Sequence, residues 1–403
     1  MREPPSVERE MQTGEITKES LDTLALEQWK QTVSAQILAR LQENLAQYYP
    51  ELAARHEVRA MLNKPPRRRR FTVIFEIGLR NRAGVLLKSL IAKAYRITPK
   101  AGARDQDIAR KSQREFTFHR QVYAFFAEQS DEYSVVRPVD YFPDLLTLII
   151  EKAEGADLGE LIQVARYSLG GYLHRKSQLG KYFQRAGKWL ALMHRGFAAE
   201  QPARFEAAHF EERVNHYYER FKRVGGKRKV AEPIRDRILA LRHAFTHAFV
   251  PQAHLHGDFK LRHIFVTEDR VSPIDFGNEL AGAAYDDVAR LLVEIKLLEY
   301  GFALPMRREL MRYLQEQFLH GYFGAKRWHP VLRYYYLVWL WAKWDRRLKK
   351  LATNKLIKKV DKILQATGVK SIINQTYVNG WFQRELLAEI EILEKEVGIG
   401  KRA

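Results

Sequence analysis

The run from His254 to Gly277 constrains this chain more than any other stretch. It places one acid, Asp258, in a His-Gly-Asp turn and a second, Asp275, in Ile-Asp-Phe-Gly seventeen residues later. Between them lie His263 and the β-branched, aromatic segment Ile264–Val266, which reads as one arm of a short hairpin. Two consecutive loops joined by a hairpin can bring both carboxylates and the imidazole to the same end of it. The chain has no cysteine, which excludes disulfides, thiolate zinc sites, iron–sulfur clusters and cysteine nucleophiles. Any metal must be held by oxygen or imidazole.

With 403 residues, 46% of them hydrophobic and 12% aromatic, the chain can build two or three cored domains, which excludes disordered and fibrous classes. Its first twenty residues mix charge with Pro4 and Pro5 and lack the apolar core of a signal peptide, so the expected location is cytoplasmic. No run approaches the ~20 apolar residues that cross a bilayer. The longest, within Tyr334–Trp344, is followed at once by Asp345, Arg346, Arg347, Lys349 and Lys350. A formal net charge of +20 favours a polyanionic partner, with solubility alone as the plainer explanation.

Periodicity divides the chain. Leu24, Leu26, Trp29, Val33, Ile37, Leu38, Leu41 and Leu45 fall mostly at three- and four-residue steps, predicting one amphipathic helix over Leu21–Tyr49. Three antiparallel strands are predicted over His56–Leu62, Phe71–Leu79 and Val85–Tyr95, joined by a very basic turn, Asn63–Arg70, and by Arg80–Gly84. A polar loop, Thr98–Asp107, precedes a helix over Ile108–Glu128, and a further strand, Leu145–Ile150, runs into Glu151–Gly155, where the glycine marks a candidate hinge. From Leu158 the pattern is helical except for the island around His254–Phe276. The expected parts are a helical extension (1–50), a small β-rich lobe (51–153), a helical lobe with the two acidic loops (154–300) and a basic, aromatic-rich helical end (301–403).

Phosphoryl transfer from ATP needs one carboxylate to orient and deprotonate the attacking hydroxyl, and hard oxygen ligands to hold Mg²⁺ on the phosphates. Asp258 and Asp275 can meet both needs. His256-Gly-Asp-Phe and Ile274-Asp-Phe-Gly resemble the catalytic and metal-binding loops of the aminoglycoside phosphotransferase-like branch of the protein-kinase superfamily. Ala284–Arg290 resembles that branch's downstream motif, in which an acid braces the loops, a place for Asp286 or Asp287. The resemblance spans Glu57–Val293 and implies an α+β, two-lobed protein-kinase-like fold, with a small β-rich N-lobe, a large helical C-lobe and helical extensions at both ends.

The same resemblance implies roles. Asp258 takes the place of the catalytic base, with His256 bracing its loop, and Asp275 takes that of the principal Mg²⁺ ligand. Lys93 stands where the family's third strand carries its phosphate-binding lysine; Lys88, an odd number of residues away, points to the other face. Glu115 matches the helix glutamate that pairs with that lysine, and Glu151 to Ala153 match the segment that offers backbone groups to adenine. The implied cofactors are ATP and Mg²⁺, with Mn²⁺ as the alternative. His119 and His194 read as ordinary, partly buried histidines.

Two departures stand out. The residue five after the catalytic acid, usually an asparagine that binds a second metal, is His263, softer than an amide oxygen. Kinases of lipopolysaccharide core sugars carry a similar arrangement, which this loop resembles. The turn between the first two strands has no glycine-rich sequence and offers Arg67 to Arg70 instead, as a solvated turn or a contact for nucleotide or anionic acceptor.

The span between Gly277 and the next helix is too short to dock a peptide, which favours a small-molecule or glycan acceptor. Between Lys326 and Lys370 thirteen Lys or Arg face two Asp, behind Trp328, Tyr334, Tyr335, Tyr336, Trp339, Trp341 and Trp344. Such a stretch could place rings and lysines on an acidic membrane surface, at the inner membrane face, or bury the rings as core. Expected activity is therefore transfer of the γ-phosphoryl group to a sugar hydroxyl of a lipopolysaccharide-type glycan. An aminoglycoside-type kinase is the alternative and would need acids such as Glu206, Glu211 and Glu212 around a cationic acceptor. A catalytically degenerate relative that binds a partner, acidic membrane or nucleic acid through its basic surface is the third reading; no finger or RNA-recognition consensus supports nucleic acid.

Overall fold

The computed structural model describes residues 18–399 except 70, 97–104, 168, 225, 227, 277–279, 300–304, 327 and 354–369. Arg70 of the basic turn, most of the loop expected after residue 97, Gly277 and Lys355 to Lys362 of the basic tail therefore lie outside the described residues. Two compact units divide the chain: Met1–Phe116 with Arg137–Lys152, and Thr117–Val136 with Ala153–Ala403.

The first unit opens with α1 (Lys18–Glu43), α2 (Leu45–Tyr48) and α3 (Pro50–Arg55), where periodicity alone predicted a single helix to Tyr49. The break falls at Asn44, whose side-chain Nδ2 donates to the Arg40 carbonyl at 2.9 Å, a local bond that competes with the helix ladder. Pro50 then restarts the helix at its first position, where a missing N–H costs nothing. The strands are β1 (Arg59–Leu62), β2 (Arg67–Arg68), β3 (Thr72–Arg80), β4 (Leu86–Tyr95), β5 (Pro138–Phe142) and β6 (Thr147–Glu151). They form one antiparallel sheet in the order β1-β3-β4-β6-β5, with the exposed pair Arg67 and Arg68 of β2 alongside β3. Val33, Ile37 and Leu41, four residues apart on α1, share a buried core with Val73, Phe75, Ile77 and Leu79 of β3 and Leu90, Ala92 and Ala94 of β4. Strand alternation therefore turns Lys93, opposite Ile74 and Leu148 in the sheet, to the other face.

Helix α4 (Asp105–Ala127) carries the chain from the first unit into the second, and Phe118, Val122 and Phe126, again four apart, join the second core. That unit contains α5 (Leu158–Tyr167), α6 (Leu169–Gly196), α7 (Ala207–Arg223), α8 (Arg228–Leu241), α9 (Tyr285–Lys296), α10 (Pro305–Phe323), α11 (Pro330–Thr353) and α12 (Lys370–Glu396). Its short strands are β7 (Ala156–Asp157), β8 (Ala203–Arg204), β9 (Phe249–Val250), β10 (Gln252–Leu255), β11 (Ile264–Val266), β12 (Val271–Pro273) and β13 (Leu280–Ala283). β11 and β12 form the expected hairpin, with β7 on the outer side of β11. β13 pairs antiparallel with β10, so the short span after the second acid is anchored to the strand that leads into the first.

Gly155 is fixed by sterics. Its φ is +80° and a Cβ there would lie 2.1 Å from the Val266 carbonyl oxygen. Gly155→Ala is expected to destabilise the second unit by about 1–3 kcal/mol, since an alanine must adopt a left-handed conformation and push back a strand backbone. A thermal melt of the variant within 1 °C of wild type would refute this.

The aromatic-rich end is core. Tyr334, Tyr336, Trp341 and Trp344 of α11 are at most 2% exposed, and Tyr335 and Trp339 are also buried. Hydrophobic burial claims these rings, so they do not form the membrane-surface belt entertained from sequence. Among the described residues no helix is long and apolar enough to cross a membrane.

Candidate active site

The second unit brings three of the expected site residues together. Asp258 follows β10, His263 ends a single 3₁₀ turn over Leu261–His263, and Asp275 follows β12. One ligand atom from each lies within 4.8 Å of the other two. His263 Nδ1 is 3.1 Å from the Asp258 main-chain oxygen. A carbonyl only accepts, so Nδ1 carries the proton, and Nε2 lies 3.4 Å from Asp275 Oδ2. Asp275 has φ +69°, a left-handed backbone that aspartate tolerates better than most residues. Two carboxylates and an imidazole nitrogen at this spacing suit a divalent cation of borderline character and fit Mg²⁺ or Mn²⁺ through their oxygens.

Asp258 is about one-third exposed and held by two cations that sequence reasoning did not single out. Lys260 Nζ donates to its Oδ2 at 2.6 Å and Arg290 Nη1 to its Oδ1 at 3.0 Å. Arg290 also donates to the Gly257 carbonyl. The signal for Arg290 was its place on α9, three residues after Asp287 and thus on the same helix face.

His256 does not enter the site through its side chain. The imidazole is fully buried among Trp189, Phe259 and Phe276, and among the described residues neither nitrogen has a hydrogen-bond partner. Burial pushes its pKa down to about 4, so the ring is neutral and enclosed, which removes it as a proton-transfer group. What braces the loop is its main chain: Asp287, 1% exposed, accepts the N–H of His256 at 2.6 Å and of Gly257 at 3.0 Å. Asp287 also faces His194 Nε2 at 3.4 Å, and His194 Nδ1 lies 2.8 Å from the Tyr322 hydroxyl. His194, read from sequence as an unremarked histidine, is thus the link between α6, α9 and α10. Burial alone would raise the Asp287 pKa, but the His194 hydrogen bond and the His194 and Arg290 charges hold it below the ordinary carboxylate value.

Neighbouring Asp286 accepts from Arg213 Nη1 at 2.7 Å and from Trp339 Nε1 at 2.9 Å. The guanidinium carbons of Arg213 and Arg290 each lie 4.6 Å from the Trp339 ring centre, within cation–π range. Lys343 completes this wall, paired with Glu294 at 2.5 Å.

The first unit joins its two expected residues. Lys93 Nζ donates to Glu115 Oε1 at 2.7 Å, and the Tyr95 hydroxyl donates to the other oxygen of the same buried carboxylate. Lys88, on the opposite face, pairs with Glu151 at 3.0 Å. The Glu151 carboxylate also accepts from the Tyr49 hydroxyl, while the Glu151 and Lys152 N–H groups bond the Arg137 and Ser89 carbonyls. Those two backbone donors are therefore occupied by the sheet, leaving Ala153 as the third donor of the expected adenine-facing segment. The acids Glu206, Glu211 and Glu212 are exposed, and Glu211 is neutralised by Arg242 at 2.7 Å, so they do not build an acidic pocket.

The model of the "Phosphotransferase enzyme family" matches residues 94–331. No curated protein matches the sequence. Among solved structures, a choline/ethanolamine kinase family protein from Mesorhizobium loti is 15% identical, with 88% of this chain and 94% of that one covered and a TM-score of 0.45. A choline kinase from Cryptosporidium parvum is 13% identical over 90% and 97% of the two chains, with a TM-score of 0.48. A glucosamine kinase is 13% identical over 82% and 92%, with a TM-score of 0.47.

Proposed function

Since the chain belongs to the phosphotransferase enzyme family and has a kinase-like fold, β-rich at the N-terminal side and helical beyond, we propose that it transfers the γ-phosphoryl group of ATP to a hydroxyl of an anionic glycan, best matched by a lipopolysaccharide-type sugar. The observation that carries the reaction is the convergence of Asp258, His263 and Asp275 beside Lys260 and Arg290. Asp258 would orient the acceptor hydroxyl and take its proton. Asp275 and His263 would hold the divalent ion, whose chemistry when bound is to neutralise charge on the phosphates. Lys260 and Arg290 hold the Asp258 carboxylate in orientation, and Lys93, steadied by Glu115, would bind the nucleotide phosphates.

The acceptor reading rests on the wall next to Asp258. Arg213, Arg290 and Lys343 surround Trp339, each paired with an acid, Asp286, Asp258 or Glu294, and the chain's net charge of +20 favours a sugar carrying phosphate or carboxylate over a polycationic drug. The retained acids argue against a degenerate relative.

A thermal-shift titration with ATP, with and without Mg²⁺ or Mn²⁺, tests the nucleotide half. Wild type is expected to gain several degrees with ATP and metal together, and Asp275→Ala to lose that metal-dependent gain. No shift at millimolar nucleotide, or an equal shift in the variant, would overturn the assignment. Incubating the active protein with ATP and either lipopolysaccharide core oligosaccharide or an aminoglycoside then separates the two acceptor classes.

A further inference from the structure

A second concave site lies in the helical unit, lined by residues outside the Asp258 cluster. α6 and the C-terminal end of α10 flank an open cleft of about 640 Å³, within the range of small-molecule sites. Two glycines make the approach possible. A Cβ on Gly187 would sit 2.2 Å from the Phe318 carbonyl oxygen, and one on Gly321 would sit 1.9 Å from that of Gln184. The close contact sets the Gln184 amide against His320 Nδ1 at 2.9 Å and draws Tyr322 and Phe323 over the α6 surface.

The charge on the cleft is one-sided. Lys181, Lys188 and Arg195 recur every seven residues on one face of α6, with Arg185 between them, while Glu132 is the one carboxylate in the lining. Arg185 consumes that carboxylate, with Nε donating to Glu132 Oε1 at 2.6 Å. Among the described residues no acid lies within ion-pair distance of Lys181, Lys188 or Arg195; Lys188 instead lies 5.4 Å from the centre of the Tyr133 ring. Like charges three and four residues apart cost a helix stability, and in a concave setting their fields reinforce rather than dissipate. Three uncompensated cations beside Tyr133, Tyr322 and Phe323 are suited to a ligand with an anionic group and a flat or apolar portion.

We propose that this cleft binds a small phosphate-bearing molecule, a phosphomonoester or diphosphate attached to a ring. The assignment is independent of the catalytic reading. A lipid headgroup offers the same phosphate chemistry, but the concave floor between the two helices, with Tyr322 and Phe323 at one end, favours a soluble molecule that fits within it.

The test is titration calorimetry of the full chain with inorganic pyrophosphate in EDTA, which keeps metal-dependent nucleotide binding silent. Wild type is expected to bind saturably, and Lys181→Gln/Lys188→Gln/Arg195→Gln, at three exposed positions, to bind at least tenfold more weakly with an unchanged melting temperature. A Lys93→Ala/Asp275→Ala variant is expected to bind as wild type does. Equal affinity in the triple variant, or loss in the double variant, would overturn the proposal. Sedimentation with phosphatidylglycerol vesicles is the second arm: vesicle binding lost in the triple variant without pyrophosphate binding by wild type would replace the small-molecule site with a lipid surface.

Discussion

Asp258→Asn is expected to lower turnover by about 10²–10⁴-fold, the usual worth of a positioned general base, while binding of ATP with Mg²⁺ stays within a few-fold of wild type. The amide preserves the shape of the carboxylate and can still accept from Arg290, which now bonds Oδ1 at 3.0 Å. What it loses is the capacity to take the acceptor proton and the charge that balances Lys260 and Arg290. Both partners are partly solvated, so the uncompensated cations should be tolerated and the fold retained. ADP release with core oligosaccharide as acceptor reads turnover, and the thermal shift with ATP reads binding. Turnover within tenfold of wild type would remove Asp258 from the chemistry; joint loss of turnover and nucleotide binding would make it a structural anchor instead.

The contrast between Asp258 and His256 shows what the sequence carries and what it does not. Asp258, His263 and Asp275 were legible because their spacing within one short segment forces them to the same end of a hairpin, and the β11–β12 pairing is local. The Lys93–Glu115 contact was legible through strand alternation plus a resemblance, since the partners are only 22 residues apart. His256 was not: whether an imidazole two residues from an acid turns toward substrate or into an aromatic core depends on Trp189, brought in by α6. The same holds for His194, whose partners Asp287 and Tyr322 lie 93 and 128 residues away.

The end of the chain teaches a related lesson about aromatic residues. A run of Tyr and Trp beside lysines has the composition of an interfacial helix, and composition cannot tell a ring facing lipid from a ring facing α7 or α9. The hydrogen bonds decide. Trp341 Nε1 donates to the Val214 carbonyl at 3.1 Å and Trp339 Nε1 to Asp286 at 2.9 Å, so each buried indole has a partner inside the unit. The consequence is that the rings of α11 are spent on packing inside the helical unit, with Trp339 set between Arg213 and Arg290; under the proposed function that wall is where an anionic acceptor would be met.

Asp287→Ala is expected to be the most damaging single change outside the hydrophobic core, at about 3–5 kcal/mol. The side chain is almost wholly enclosed, and its removal strands the His256 and Gly257 N–H groups, now bonded at 2.6 and 3.0 Å, where water cannot replace it. Asp287→Asn should recover part of the loss, because one oxygen remains to accept while the new NH₂ faces a donor. The pH dependence distinguishes a buried charge from mere packing. The folded-state pKa of Asp287 lies below its unfolded value of about 4, so its contribution is fully present above that pH and fades as pH falls through the lower, folded pKa. The stability gap between wild type and Asp287→Asn should therefore narrow on acidification below about pH 4. Denaturation midpoints followed by tryptophan fluorescence at neutral and acid pH measure both effects. A loss under about 1 kcal/mol in the alanine variant, or a gap to asparagine that does not narrow with acid, would mean that the loop carrying Asp258 is held by something other than this carboxylate.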